Sequence, residues 1–102
     1  MDSSPVAQHF GRRLWYRRRL ADLSQEDLAL LIGLHRTEVS QVERGLRVPR
    51  LDTILKLAGG VEVSPCDLVG GLRWQPRSLA EVGGGYGDNG SRPAAGKGSR
   101  TR

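Results

Sequence analysis

The sequence predicts an all-α fold of five short helices followed by an unstructured tail. Between residues 7 and 72 apolar side chains recur at intervals of three and four, the period of an amphipathic helix. No stretch shows the strict alternation that a half-buried strand needs, and glycine or proline separates one periodic segment from the next. With 102 residues there is room for one domain, and seven of the 14 glycines fall in the last 20 positions, so the folding part is shorter still.

The first helix is expected from about Ala7 to Ala21, burying Phe10, Leu14 and Ala21. Arg12, Arg13, Arg17, Arg18 and Arg19 crowd its other faces, where charge alone leaves a solvated and a phosphate-facing role equally open. A second helix opens at Ser24, which forms the S-x-x-D version of a capping box with Asp27. It turns Leu28, Leu31 and Ile32 inward and stops at Gly33, a residue suited to positive φ. A third begins near His35 or Arg36, points Val39 and Val42 inward, and ends at Gly45. Its outer positions, Arg36, Thr37, Glu38, Ser40, Gln41 and Arg44, are all polar.

Beyond Pro49 a fourth helix is expected from Leu51 to about Ala58, where Leu51, Ile54, Leu55 and Ala58 give the i, i+3, i+4, i+7 pattern of a core stripe. Gly59 and Gly60 should end it. A fifth starts with Ser64 as cap and Pro65 in the first turn, turns Leu68 and Val69 inward, and terminates at Gly70 and Gly71. From Trp74 the chain is rich in Gly, Ser, Pro and Arg, and residues 83–102 are expected to be disordered.

Composition excludes several classes of function. One cysteine, Cys66, forms no internal disulfide, and Cys66, His9 and His35 lack metal-ligand spacing. No apolar run reaches the ~18 residues of a membrane span, and the N-terminus lacks a basic segment followed by an apolar one. The expectation is a reduced, cytoplasmic protein without membrane, metal or cofactor. No Ser/His/Asp or Cys/His set and no GxxxxGK[ST] loop is present, which argues against an enzyme. Of the net charge of +5, residues 1–74 hold +2 and residues 75–102 hold +3, so charge says little about the folded part.

The informative pattern is the pair formed by the second and third helices. Ala29 is small where the two must cross, Gly33 makes the turn four residues later, and Val39 plugs the angle between them after six more. Leu28, Ile32, Leu34 and Val42 fill the remaining inner positions. Two short helices joined by a glycine-containing turn, the second with a polar outer face, describe a helix-turn-helix.

Residues 24–68, SQEDLALLIGLHRTEVSQVERGLRVPRLDTILKLAGGVEVSPCDL, resemble the Cro and phage-repressor type of helix-turn-helix, the XRE family of regulators. The resemblance covers about residues 10–72. It is most specific at Ser24 to Ala29, Val39 to Gly45, Pro49, and Leu55 to Ala58. It implies a compact five-helix, lambda-repressor-like DNA-binding domain over residues 7–74, with the helix-turn-helix proper at 24–44 and a Gly/Arg-rich tail at 75–102. The implied function is a sequence-specific transcription regulator that inserts the helix 35–44 into the major groove of double-stranded DNA, as a homodimer on an inverted repeat. Arg36, Thr37, Glu38 and Gln41 are the implied base contacts. Their chemistry suits guanine, the thymine methyl, cytosine N4 and adenine, respectively. Ser24, Gln25, Arg18, Ser40, Arg44, Arg47 and Arg50 are the implied backbone contacts, with Arg18 and Glu43 at positions that pair in related repressors.

Three residues depart from the family pattern. Arg17 stands where a leucine is frequent, with Trp15 or Leu20 as expected compensation. His35 and Arg50 stand at cap positions that Ser, Thr, Asp or Asn fill better. The dimer contact is expected near the fifth helix, at Val63, Leu68, Val69, Leu72 and Trp74. Arg92, Lys97, Arg100 and Arg102 would add sequence-independent phosphate attraction. The alternative from another class is an antitoxin or accessory module whose main partner is a protein. It would call for an apolar tail helix, for which Leu79 to Val82 is short.

Overall fold

Ser4 opens the first helix by accepting a hydrogen bond from the Ala7 N–H at 3.0 Å, with Pro5 in the first turn where its missing donor costs nothing. Helix α1 (Pro5–Leu20) thus begins two residues before the expected start. In the computed structural model, which describes residues 4–82, it is followed by α2 (Gln25–Ile32), α3 (Arg36–Glu43), α4 (Leu51–Gly60), α5 (Pro65–Val69) and α6 (Leu79–Val82). No strand occurs among the described residues. The chain divides into two units, residues 1–72 and 73–102.

In the first unit α1 packs on α3 and α5, α2 packs on α3 and α4, and α4 packs on α5. Phe10, Leu14, Leu28, Ala29, Val39, Val42, Leu57, Ala58, Val61 and Leu68 form one buried cluster at the centre. Both bonds of the Ser24–Asp27 capping box are present, at 2.9 and 3.1 Å. Gly33 ends α2 with φ +76° in otherwise open space, so its backbone conformation, not crowding, calls for glycine there. Ala29 and Val39 are buried as their spacing requires.

Helix α4 corrects the sequence reading. Its buried stripe is Ile54, Leu57, Ala58 and Val61, with Ile54 partly covered, while Leu51 and Leu55 face solvent. The helix does not stop before Gly59 and Gly60 but includes both, with Val61 as its cap. Gly60 lies so close to α2 that a Cβ there would stand 2.5 Å from Leu28 Cδ1 and 2.8 Å from Ile32 Cγ2. That close approach carries the helix through Gly60 and buries the cap residue Val61.

Smaller corrections follow the same logic of one face per helix. Ala21 caps α1 in an exposed position, and Leu31 points outward on α2 because Leu28, Ala29 and Ile32 already fill the inner face. Trp15 and Leu20 are exposed and compensate for nothing at Arg17, which is half-buried and stands 4.0 Å from Asp67. Leu68 is fully buried and leaves no surface for a partner, while Val63 and Val69 pack against the core and are partly covered.

Gly11 is where α1 crosses the end of α3. A Cβ at this position would lie 2.5 Å from the carbonyl oxygens of both Val42 and Glu43, so the two backbones touch. In the second unit, α6 makes a sixth helix where five were expected. Ser78 caps it, its N–H donating to the Glu81 carboxylate and its Oγ accepting from the Glu81 N–H, both at 3.1 Å. Trp74 is 87% exposed. The expected disorder of residues 83–102 and the role given to their cations lie outside the described residues.

Candidate nucleic-acid interface

Helix α3 is anchored from inside by Val39 and Val42, and every other side chain from Arg36 to Gln41 is polar. Arg36 and Thr37 are exposed in its first turn, while Ser40 and Gln41 are half-covered one turn later. Arg44, Arg47 and Arg50 follow along the α3–α4 connection, all exposed. Arg47 and Arg50 border a cleft of about 170 Å³, which Glu38, Val42, Val48, Pro49 and Thr53 also line. The arrangement presents donors and acceptors at the helix face and positive charge beside it, the division that base reading and phosphate holding require.

The inner end of α3 is held by a buried carboxylate. Arg18 donates from Nε to Glu43 Oε2 at 2.5 Å and from Nη2 to Oε1 at 2.9 Å, and from Nη1 to the Leu23 carbonyl at 2.8 Å. Gln25 Nε2 donates to the same Glu43 Oε1 at 3.0 Å. The Arg18 and Glu43 side chains are 9% and 3% exposed. One carboxylate therefore joins α1, α2 and α3, and a planar guanidinium bound at two points fixes orientation as well as distance.

This geometry makes Arg18 a tie between the three helices, with each of its three nitrogens engaged. Gln25 remains at the start of α2, half-covered and shared with Glu43.

Glu38, Gln41, Arg47 and Arg50, which the sequence assigned to DNA, also have internal partners. The Glu38 carboxylate accepts from the His35 N–H at 3.0 Å, closing the start of α3 in place of the weak histidine cap. Arg47 Nη1 lies 3.4 Å from Gln41 Oε1 and 4.0 Å from Glu38 Oε2, so this arginine leans over the helix face instead of standing clear of it. Arg50, at the start of α4, makes no cap and donates to Asp52 at 3.3 Å, while Asp52 itself accepts from the Thr53 N–H at 2.8 Å.

The lean of Arg47 and the sharing of Glu43 by Gln25 were invisible in the sequence, because each depends on the path of the connection that follows Gly45 or on the crossing of α1. Among the described residues no group of histidine, cysteine and carboxylate side chains is placed to hold a metal, and no helix is long and apolar enough to cross a membrane.

Comparisons with known proteins agree with this geometry. The helix-turn-helix family profile matches residues 15–68. The control protein C.BamHI of Bacillus amyloliquefaciens is 45% identical over 49 residues, which are 48% of this chain and 60% of that protein. The restriction-modification controller protein C.AhdI from Aeromonas hydrophila superposes with a TM-score of 0.59 at 47% identity, covering 61% of this chain and 94% of that one. The P22 c2 repressor, solved in complex with a synthetic operator, does so with a TM-score of 0.59 at 29% identity, covering 64% and 98%. The chain belongs to the Cro and phage-repressor type of helix-turn-helix transcription regulators.

Proposed function

We propose that the chain is a sequence-specific, double-stranded DNA-binding regulator that lays α3 in the major groove, as a homodimer on an inverted repeat, in the cytoplasm. The observation that carries this reading is the division of labour on α3. Val39, Val42 and Glu43 hold the helix, while Arg36, Thr37 and Gln41 face outward beside three exposed arginines. Arg36 offers guanine its two-pronged donor, Gln41 pairs with adenine, and the Thr37 methyl meets that of thymine. Glu38 reaches cytosine with the oxygen that His35 leaves free.

Ser24 and Gln25 bring the start of α2 to a phosphate, where unpaired N–H groups and the helix dipole favour an anion. Ser40, Arg44, Arg47 and Arg50 hold the backbone on either side. This function needs no catalysis, metal or cofactor. The names of C.BamHI and C.AhdI support control of restriction-modification genes as the process served.

Selection of bound duplexes from a random pool tests the reading. Recovery of one inverted repeat with half-sites about 10 base pairs apart is the expected result. A pool that remains unenriched would overturn it.

A further inference from the structure

Helix α1 has no carboxylate side chain in its 16 residues, and most of its arginines are taken up by the fold. Arg13 donates to the Asp67 carbonyl, Arg17 stands 4.0 Å from the Asp67 carboxylate, and Arg18 is bound by Glu43. Arg12 and Arg19 remain, both exposed, and neither is within ion-pair distance of a carboxylate among the described residues. Arg19 is nevertheless held. Its guanidinium carbon lies over the Trp15 ring, 5.1 Å from the ring centre. Stacking of this kind fixes the plane of a guanidinium and leaves its N–H edges open to an anion.

The packing on either side says where those edges are. Gln8, Trp15 and Arg19 share one stripe of α1, at spacings of seven and four residues. At one end Gln8 rests on Gly45, where a Cβ would stand 3.1 Å from Gln8 Cγ. At the other, Arg19 and Ser24 border a hollow of about 420 Å³, which Arg18, Asp22, Leu23 and Asp27 also line. The stripe thus runs from the end of α3 to the start of α2, the two places set against phosphates in the function proposed above. Within the hollow Arg18 is tied to Glu43, and Asp27 accepts from the Ser24 N–H. Arg19 is the cation there whose donors are free, and Asp22 is the carboxylate that would oppose a phosphate beside it.

We infer that Arg19 holds a phosphate of the bound duplex and that Trp15 is the residue that positions it. The inference rests on the DNA-binding reading and adds to it two residues outside the backbone contacts named above. A stacked arginine on a phosphate contributes affinity without base preference.

Competition assays with the preferred duplex and a random one, at several salt concentrations, test the inference. Arg19→Ala should weaken both duplexes several-fold and reduce the dependence of log affinity on log salt by about one unit per subunit. Trp15→Ala removes no charge, yet should lower the same slope, whereas Trp15→Phe keeps an aromatic face and should restore it. In the Arg19→Ala background Trp15→Ala should add nothing. Asp22→Asn should tighten both duplexes, asparagine being a side chain that accepts the φ of 61° found there. Circular dichroism should show each variant folded, since all three side chains are exposed.

Wild-type affinity and salt slope in Arg19→Ala would overturn the inference and leave the DNA reading standing. A Trp15→Ala loss that persists in the Arg19→Ala background would overturn the positioning role. A wild-type chain that binds neither duplex overturns the DNA reading, and the inference with it.

Discussion

Gly11 and Glu43 meet backbone to backbone: a single methyl group at residue 11 would stand 2.5 Å from the Glu43 carbonyl oxygen. That contact sets how closely α1 can lie on the end of α3, and so where the buried Arg18 and Glu43 side chains meet.

Gly11→Ala should therefore lower stability by about 1–3 kcal/mol, because backbone oxygens cannot rotate aside as a side chain would. Urea denaturation measures the loss. A wild-type midpoint would show that α1 shifts freely on α3.

Glu43→Ala leaves the Arg18 guanidinium buried beside a missing partner and should cost about 3–5 kcal/mol. Replacing both residues by apolar ones, Arg18→Met with Glu43→Leu, should recover most of it, since no charge is then stranded. Thermal melts of the single and double variants check the sign of that recovery.

Gly33 separates conformation from space. Gly33→Val should destabilise the domain by about 1–3 kcal/mol, because a branched residue resists φ +76° although the surroundings are open. Gly33→Asn should cost less, asparagine being the side chain that tolerates that region best. Equal melting temperatures for the two variants would assign the turn to crowding instead.

Arg36→Ala should cost about 1–3 kcal/mol on the preferred site and little on random duplex, with relaxed selectivity at one G·C pair of each half-site. Arg47→Ala should weaken both kinds of DNA alike and reduce the dependence of log affinity on log salt by about one unit per subunit. Competition assays at several salt concentrations distinguish the two. Altered base preference in Arg47→Ala would instead place that residue among the readers, acting through its contact with Gln41.

The helix-turn-helix was legible because its signals are local. The Ser24 box, the Gly33 turn and the valines three apart each act within a few residues of the chain. The buried face of helix α4 was not, and the reason is specific. Leu51, Ile54, Leu55 and Ala58 have the same spacing as Ile54, Leu57, Ala58 and Val61, so periodicity offers two stripes and chooses neither. The choice is made by α2, which approaches α4 closely at Gly60, and no window along the sequence contains that contact. The pairing of Arg18 with Glu43 was readable from the resemblance. Its depth below the surface was not, because burial there depends on α1, α2 and α3 closing together.

The short helix α3 keeps two sets of side chains largely apart. Val39, Val42 and Glu43 are committed to the interior, whereas Arg36, Thr37 and Gln41 can be exchanged without opening a cavity or stranding a buried charge. Target preference can thus diversify at those three positions by single substitutions that leave the scaffold's stability almost unchanged. Glu38 is the exception, because its carboxylate also closes the first turn through the His35 N–H. Evolution toward a new site, or engineering toward one, meets a folding penalty at residue 38 that it does not meet at its neighbours.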